Sequence, residues 1–152
     1  MGNATVLRMS LCSCHLQHAP AKALDSAGMV PRLYEYIAGI LKRRKCFLIL
    51  GGGIEDHVHL LISLSREASV AEVVRDVKAG SSGWIHKTIA DARLFAWQDG
   101  YSAFSVSKSA LEDVKNYIAN QEEHHRVCSF HDELIAFLNK HDVEYNEDYI
   151  EG

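Results

Sequence analysis

The stretch Glu55-Asp56-His57-Val58-His59-Leu60-Leu61-Ile62-Ser63-Leu64 constrains this chain more than any other. Side chains along a strand point to opposite faces in turn. A strand here therefore sets His57 and His59 on one face, and Val58, Leu60, Ile62 and Leu64 on the other. The apolar face has to be buried under other elements, while the opposite face offers two imidazoles about 7 Å apart. Neutral imidazole is the commonest metal ligand in proteins, and two at that spacing can converge on a single ion. The same pattern also serves as plain strand packing, so a second feature is needed to separate the two readings.

With 152 residues, 47% of them apolar, the chain is expected to form one domain over 1–152 with a sizeable core. A net charge of -4 does not advertise a nucleic-acid binder on bulk electrostatics. The charge is unevenly spread, however. Asp142, Glu144, Glu147, Asp148 and Glu151 crowd the end, so 142–152 reads as an acidic tail on a nearly neutral body. No apolar run approaches the roughly 20 residues of a membrane span, and the start lacks the layout of a signal peptide. The expectation is a cytoplasmic protein with no membrane association. Cys12, Cys14, Cys46 and Cys128 have neither disulfide-framework nor paired C-x-x-C spacing, and free thiols are expected. Cys12-Ser13-Cys14-His15 with His18 closes no four-ligand metal site, because no second cluster accompanies it.

Residues 4–14 read as a weak first strand and 15–30 as an irregular connection. Pro31 suits the first turn of a helix over about 31–44, in which Leu33, Ile37, Ile40 and Leu41 recur at helical spacing. The helix closes on Lys42-Arg43-Arg44-Lys45, a cluster that either complements the helix dipole or grips phosphate. Cys46 to Leu50 is apolar without alternation, which predicts a strand covered on both faces. Gly51-Gly52-Gly53 is expected to turn the chain into the histidine strand as a hairpin, not to cradle phosphate.

Ser69-Val70-Ala71-Glu72 is a capping box opening a helix with the stripe Val70, Val73, Val74 and Val77. Gly80-Ser81-Ser82-Gly83 is expected to loosen or kink it before Trp84, Ile85 and Ile89 resume the pattern. Arg75, Lys78 and Lys87 lie along it as a solvated face or a binding track. Phe95 to Gly100 forms an aromatic loop, with Trp97 expected in the core rather than stacked on a base. Tyr101 to Val106 alternates as a strand, and Ser109-Ala110-Leu111-Glu112 is expected to cap a helix running to about Arg126. A last helix opens at Ser129-Phe130-His131-Asp132, with Phe130, Leu134, Phe137 and Leu138 as its stripe.

This order predicts an α+β fold with the ferredoxin-like β-α-β-β-α-β plan, an antiparallel sheet whose two helices share one face. The additional C-terminal helices are expected to cover the other face. On the first of these, Tyr117 and Gln121 stand at i and i+4, stacked at the edge of the buried stripe. If that helix lies on the face of His57 and His59, the four side chains converge.

The pairing of His57-Val58-His59 with Tyr117-Ile118-Ala119-Asn120-Gln121 resembles the HUH single-tyrosine transposases of the smallest bacterial insertion sequences. It equally resembles their domesticated relatives associated with repetitive extragenic palindromes (REP). The segments EDHVHLL, KAGSSGWIH, FAWQDGYSAFSVS and YIANQEEHH are similar to that family in order and spacing, over about residues 31–150. The stretch from Ser10 to Ser26 departs from it, lacking the basic turn that normally follows the family's first strand. The resemblance implies that Tyr117 is the nucleophile and that His57, His59 and Gln121 hold a divalent ion, Mg2+ or Mn2+. It further implies single-stranded or hairpin DNA as substrate, cut and joined through a 5′-phosphotyrosine, and a homodimer with the tyrosine acting in cis or in trans. Lys78 matches a position where the family tends to carry a basic residue, and Arg75, Arg43 and Arg44 join it as candidate DNA contacts.

Two other readings remain open on the sequence. One is a metal-dependent phosphodiester hydrolase in which Tyr117 only orients the substrate. The other is a catalytically silent nucleic-acid-binding module on the same sheet.

Overall fold

A computed structural model of the chain describes residues 8–15, 28–54, 57–90 and 92–120, together with 132, 135, 136, 139 and 140. Four strands form one antiparallel sheet: β1 (Arg8–His15), β2 (Phe47–Ile54), β3 (His57–Leu64) and β4 (Ser102–Val106). Their spatial order is β2-β3-β1-β4. Helix α1 (Met29–Arg43) connects β1 to β2, and α2 (Val70–Thr88) connects β3 to β4. A 3-10 turn, Lys108–Ala110, then leads into α3 (Leu111–Ala119). This is the predicted α+β ferredoxin-like arrangement, with β3 inserted between β1 and β2 and paired antiparallel to both.

The chain divides into two compact units, Met1–Ala119 and Asn120–Gly152. The first contains the sheet and α1 to α3. In the second, Asp132, Ile135, Ala136, Asn139 and Lys140 are helical, within the helix expected after Ser129. The predicted stripe residues Phe130, Leu134, Phe137 and Leu138 and the acidic tail lie outside the described residues, as does Cys128.

Periodicity accounts for the core. Leu33, Ile37, Ile40 and Leu41 of α1 and Val73, Val74, Val77 and Ile85 of α2 bury against Val58, Leu60, Ile62 and Leu64, the alternate residues of β3. Each fully buried side chain of this kind contributes about 1.5–3 kcal/mol of burial free energy. The two helices thus occupy the face of β3 opposite its histidines. Their ends are tied by charge: Arg44, just after α1, forms an ion pair through Nε with Asp76 and a longer one with Glu72 at 3.7 Å. Glu72 also completes the predicted capping box, in which its backbone N–H donates to Ser69 Oγ at 3.2 Å.

Several local expectations differ from the structure. The glycines of residues 51–53 do not form the turn; they lie inside β2, paired with Leu60, His59 and Val58. β2 is an edge strand with a register shift between Leu48 and Leu50, and Phe47 is 61% exposed, so it is not covered on both faces. Gly80 and Gly83 do not interrupt α2. Gly80 instead lets the helices approach, since a Cβ there would stand 2.6 Å from Ile40 Cδ1. The cap before α3 is Ser107, whose hydroxyl accepts from Ala110 N–H at 3.2 Å, rather than Ser109. Helix α3 itself spans Leu111–Ala119 with Asn120 in a turn, and the continuation expected to Arg126 lies outside the described residues.

Candidate active site

The site starts from β3. Being an interior strand flanked by β2 and β1, it holds His57 and His59 in the middle of the sheet rather than at an edge. Both side chains are buried, at 0% and 2% exposure, and their rings meet edge to face with centroids 4.9 Å apart. Helix α3 lies against β2 and brings the third ring. Tyr117 is half-buried, with its ring centroid 5.4 Å from that of His59 and the planes tilted by 58°. The result is a row of three rings, His57, His59 and Tyr117, on the face that α1 and α2 leave uncovered.

Ile118, the next residue on α3, is buried at 2% exposure beside Gly52 of β2. Gly52 is the register partner of His59, so the two share a face of the sheet. An ideal Cβ on Gly52 would lie 2.7 Å from Ile118 Cγ2 and 2.7 Å from the Ile118 carbonyl oxygen. Sequence reasoning misses this contact. Its trace is the run of three glycines just before the histidine strand, a pattern that reads equally as turn chemistry.

The donor set fits a divalent cation: two imidazoles side by side in a buried place. Among the described residues, no group of three His, Cys, Asp or Glu side chains forms a metal site. A further protein ligand has to be of another type or lie elsewhere. Gln121, the amide expected to complete the set, lies outside the described residues.

The candidate DNA-binding cations are not gathered at the ring row, because all belong to the α1 and α2 side of the sheet. Arg44 is engaged with Asp76 and Glu72. Lys78 donates from Nζ to the Gln98 carbonyl at 2.8 Å and to the Gly100 carbonyl. Further along α2, Ser81 accepts from Trp97 Nε1 at 2.9 Å, and His86 Nε2 donates to the Phe95 carbonyl at 2.8 Å. Lys78 is therefore one of three residues pinning the aromatic loop to α2. Arg43 is exposed at the end of α1, and Arg75 is exposed beside Asp76 at 3.4 Å. Tyr34 of α1 stands beside Gly51, on the face of β2 opposite Ile118. Burial pushes its hydroxyl well above the ordinary tyrosine range, which makes it a protonated packing residue.

Comparison with known proteins follows the same outline. The sequence model of the family described as "Transposase IS200 like" matches residues 10–121. The match takes in the histidine pair, Tyr117 and Gln121, and reaches back into the stretch after Ser10 that departs from the expected pattern. Among solved structures, the chain is similar to a candidate transposase from Deinococcus radiodurans R1, with a TM-score of 0.56 and 18% identity. That likeness covers 80% of this chain and 96% of the other. It is also similar to a REP-associated tyrosine transposase solved bound to a REP hairpin, with a TM-score of 0.60 and 13% identity. Here 82% of this chain and 73% of the other are covered. No curated protein sequence matches the chain. No helix among the described residues is long and apolar enough to cross a membrane.

Proposed function

The chain belongs to the IS200-like transposases, and from that premise we propose that it nicks and rejoins single-stranded DNA, with Tyr117 as the nucleophile. In this reading His57, His59 and Gln121 hold a divalent ion, Mn2+ or Mg2+. The observation that carries it is the placement of the Tyr117 ring against His59, which in turn meets His57. Hairpin DNA is the substrate class suggested by the relative solved with a REP hairpin.

Tyr117 Oη attacks the phosphorus of a phosphodiester and loses its phenolic proton, and the bond from phosphorus to the 3′-oxygen breaks. The products are a 5′-phosphotyrosine ester and a strand ending in a 3′-hydroxyl, which takes up a proton. Attack on the ester by the 3′-hydroxyl of another strand restores a phosphodiester and frees Tyr117. Bond energy is conserved in the ester, so no nucleotide cofactor is required. A phenol with an ordinary pKa of about 10 is a poor nucleophile against an anionic ester, so the site needs positive charge beside it. His57, His59 and Gln121 would hold a divalent ion, which when bound would supply that charge and polarise the phosphodiester.

His57 and His59 are held by strand pairing on both sides, which orients their rings before substrate arrives. The Tyr117 ring lies against His59 of its own chain, a placement in keeping with a site assembled in cis, and a homodimer built this way would carry two such sites. Phosphate contacts on the helical side would fall to the exposed Arg43 and Arg75, with Lys78 and Arg44 holding the protein's own structure.

The test is incubation of the protein with single-stranded hairpin DNA and Mn2+ or Mg2+, followed by denaturing electrophoresis. A covalent protein–DNA adduct is expected that disappears in Tyr117→Phe and on chelation. Cleavage without an adduct would replace this reading with a hydrolase, and binding without cleavage would replace it with a silent DNA-binding module.

A further inference from the structure

We propose that Gly52 is a positioning residue: the absence of a side chain there lets α3 sit on β2 closely enough to bring Tyr117 against His59. Three observations on independent elements meet at this point. Gly52 is the cross-strand partner of His59, so whatever stands on Gly52 stands beside the imidazole. The Ile118 side chain and carbonyl occupy the volume that a Cβ would fill, each 2.7 Å from its ideal position. Tyr117, the residue before Ile118, carries the ring that meets His59 at 5.4 Å.

The nature of the obstacle decides the consequence. At Gly51 the nearest atoms all belong to the Tyr34 ring, a side chain that can turn about its own bonds without moving a helix. At Gly52 one of the two obstacles is backbone, which moves only if the helix moves. A methyl group at position 52 would therefore lift or rotate α3 as a body, and the ring row would open at its Tyr117 end. The opposite face of β3, with Val58, Leu60 and Ile62 packed under α1 and α2, would keep its contacts. The catalytic consequence, though not the geometric one, rests on the proposed role of Tyr117.

The two are tested together in the full chain. In Gly52→Ala, the imidazole NMR signals of His59 are expected to shift toward their positions in Tyr117→Ala, as the ring-current field of the tyrosine recedes. The methyl signals of Val58, Leu60 and Ile62 are expected to stay. Adding Ile118→Leu removes Cγ2 but leaves the carbonyl, so the His59 signals should return only part of the way. In parallel, adduct formation on hairpin DNA is expected to fall about a hundredfold, the scale of an ångström's misplacement of a reacting group. Mn2+ binding by the histidines should persist. Gly39→Ala, at a helical position with open space around it, should change neither readout.

Unchanged His59 signals in folded Gly52→Ala would overturn the inference, whatever the activity. Loss of the fold in both Gly52→Ala and its Ile118→Leu double variant would overturn it as well, since the obstacle is confined to the seat of α3. If the His59 signals move but the wild-type protein forms no adduct, the seat stands and the proposed function falls.

Discussion

Trp97 donates from its indole Nε1 to Ser81 Oγ at 2.9 Å, and both residues are buried. The same hydroxyl donates to the Val77 carbonyl at 2.6 Å, so a single serine satisfies the indole and returns its own proton to the helix. Trp97 is thereby a core residue of the loop, as its sequence context suggests, and not a platform for a base. Ser81→Ala would leave the indole N–H buried without an acceptor, a loss of about 1–3 kcal/mol. Chemical denaturation of the variant, with tryptophan fluorescence as the probe, measures it. A change near zero would contradict this assignment.

Metal binding can be examined without any DNA. Binding to the folded state alone raises stability by about 2.7 kcal/mol when the free ion is at a hundred times its dissociation constant. Thermal melts are expected to rise with added Mn2+ and to return on chelation. Mg2+ should have less effect, because imidazole nitrogen is a poorer match for the harder ion. In His57→Ala and His59→Ala the metal-dependent rise should vanish. Both side chains are fully buried, so each variant is also expected to melt lower than wild type before any ion is added.

The Arg44 cluster predicts how stability depends on acidity. The hydrogen bond from Arg44, and then its charge, hold the Asp76 carboxyl below the usual range, while hydrogen bonds from Ser69 do the same for Glu72. Carboxyls depressed in the folded state contribute stability that is present above their ordinary values, about 4. That contribution is lost as pH falls through the lowered values. Asp76→Asn should therefore flatten the acid limb of stability against pH. Added salt should weaken the effect in wild type, since these groups are partly exposed. An unaltered acid limb in the variant would exclude the pair as its cause.

Gly39 and Gly83 lie within helices with nothing near the position a Cβ would take. Alanine at either site restricts the unfolded chain without a clash, and each substitution should add about 0.4–1 kcal/mol. Gly80, which faces Ile40, should not share that gain in full. Denaturant midpoints for the three single variants provide the comparison.

The capping box offers a simpler measurement. Ser69→Ala removes the acceptor for the Glu72 N–H at the start of α2, at a cost of about 1 kcal/mol. Ser109→Ala, at the serine that the sequence pattern favours for the other helix, should cost less than Ser107→Ala, because the Ala110 N–H is satisfied by Ser107.

Much of the fold is legible in the sequence because its signals are local. Alternation from His57 to Leu64 sorts those residues between two faces with no knowledge of what covers them. The spacing of Leu33, Ile37 and Ile40, and of Val73, Val74 and Val77, does the same for α1 and α2. Ser69 with Glu72 marks a helix start within four residues of chain. The histidine pair and Tyr117 are also visible as residue types, and their meeting follows once α3 is assigned to the histidine face.

What the chain by itself determined, then, is which face of each element must be buried and which side chains are candidates for the chemistry. The tertiary structure alone decided what those faces meet. Lys78 looks like a solvated cation until the loop at Gln98 and Gly100 places two carbonyls on it, and Arg44 looks free until Asp76 arrives from another helix. Gly52 reads as a turn residue until the carbonyl of Ile118 is found where its side chain would be. The physical reason is that periodicity and capping act over a few neighbouring residues, whereas ion pairing and close approach depend on elements far apart in the chain. The distance between Tyr117 and His59 belongs to the second kind.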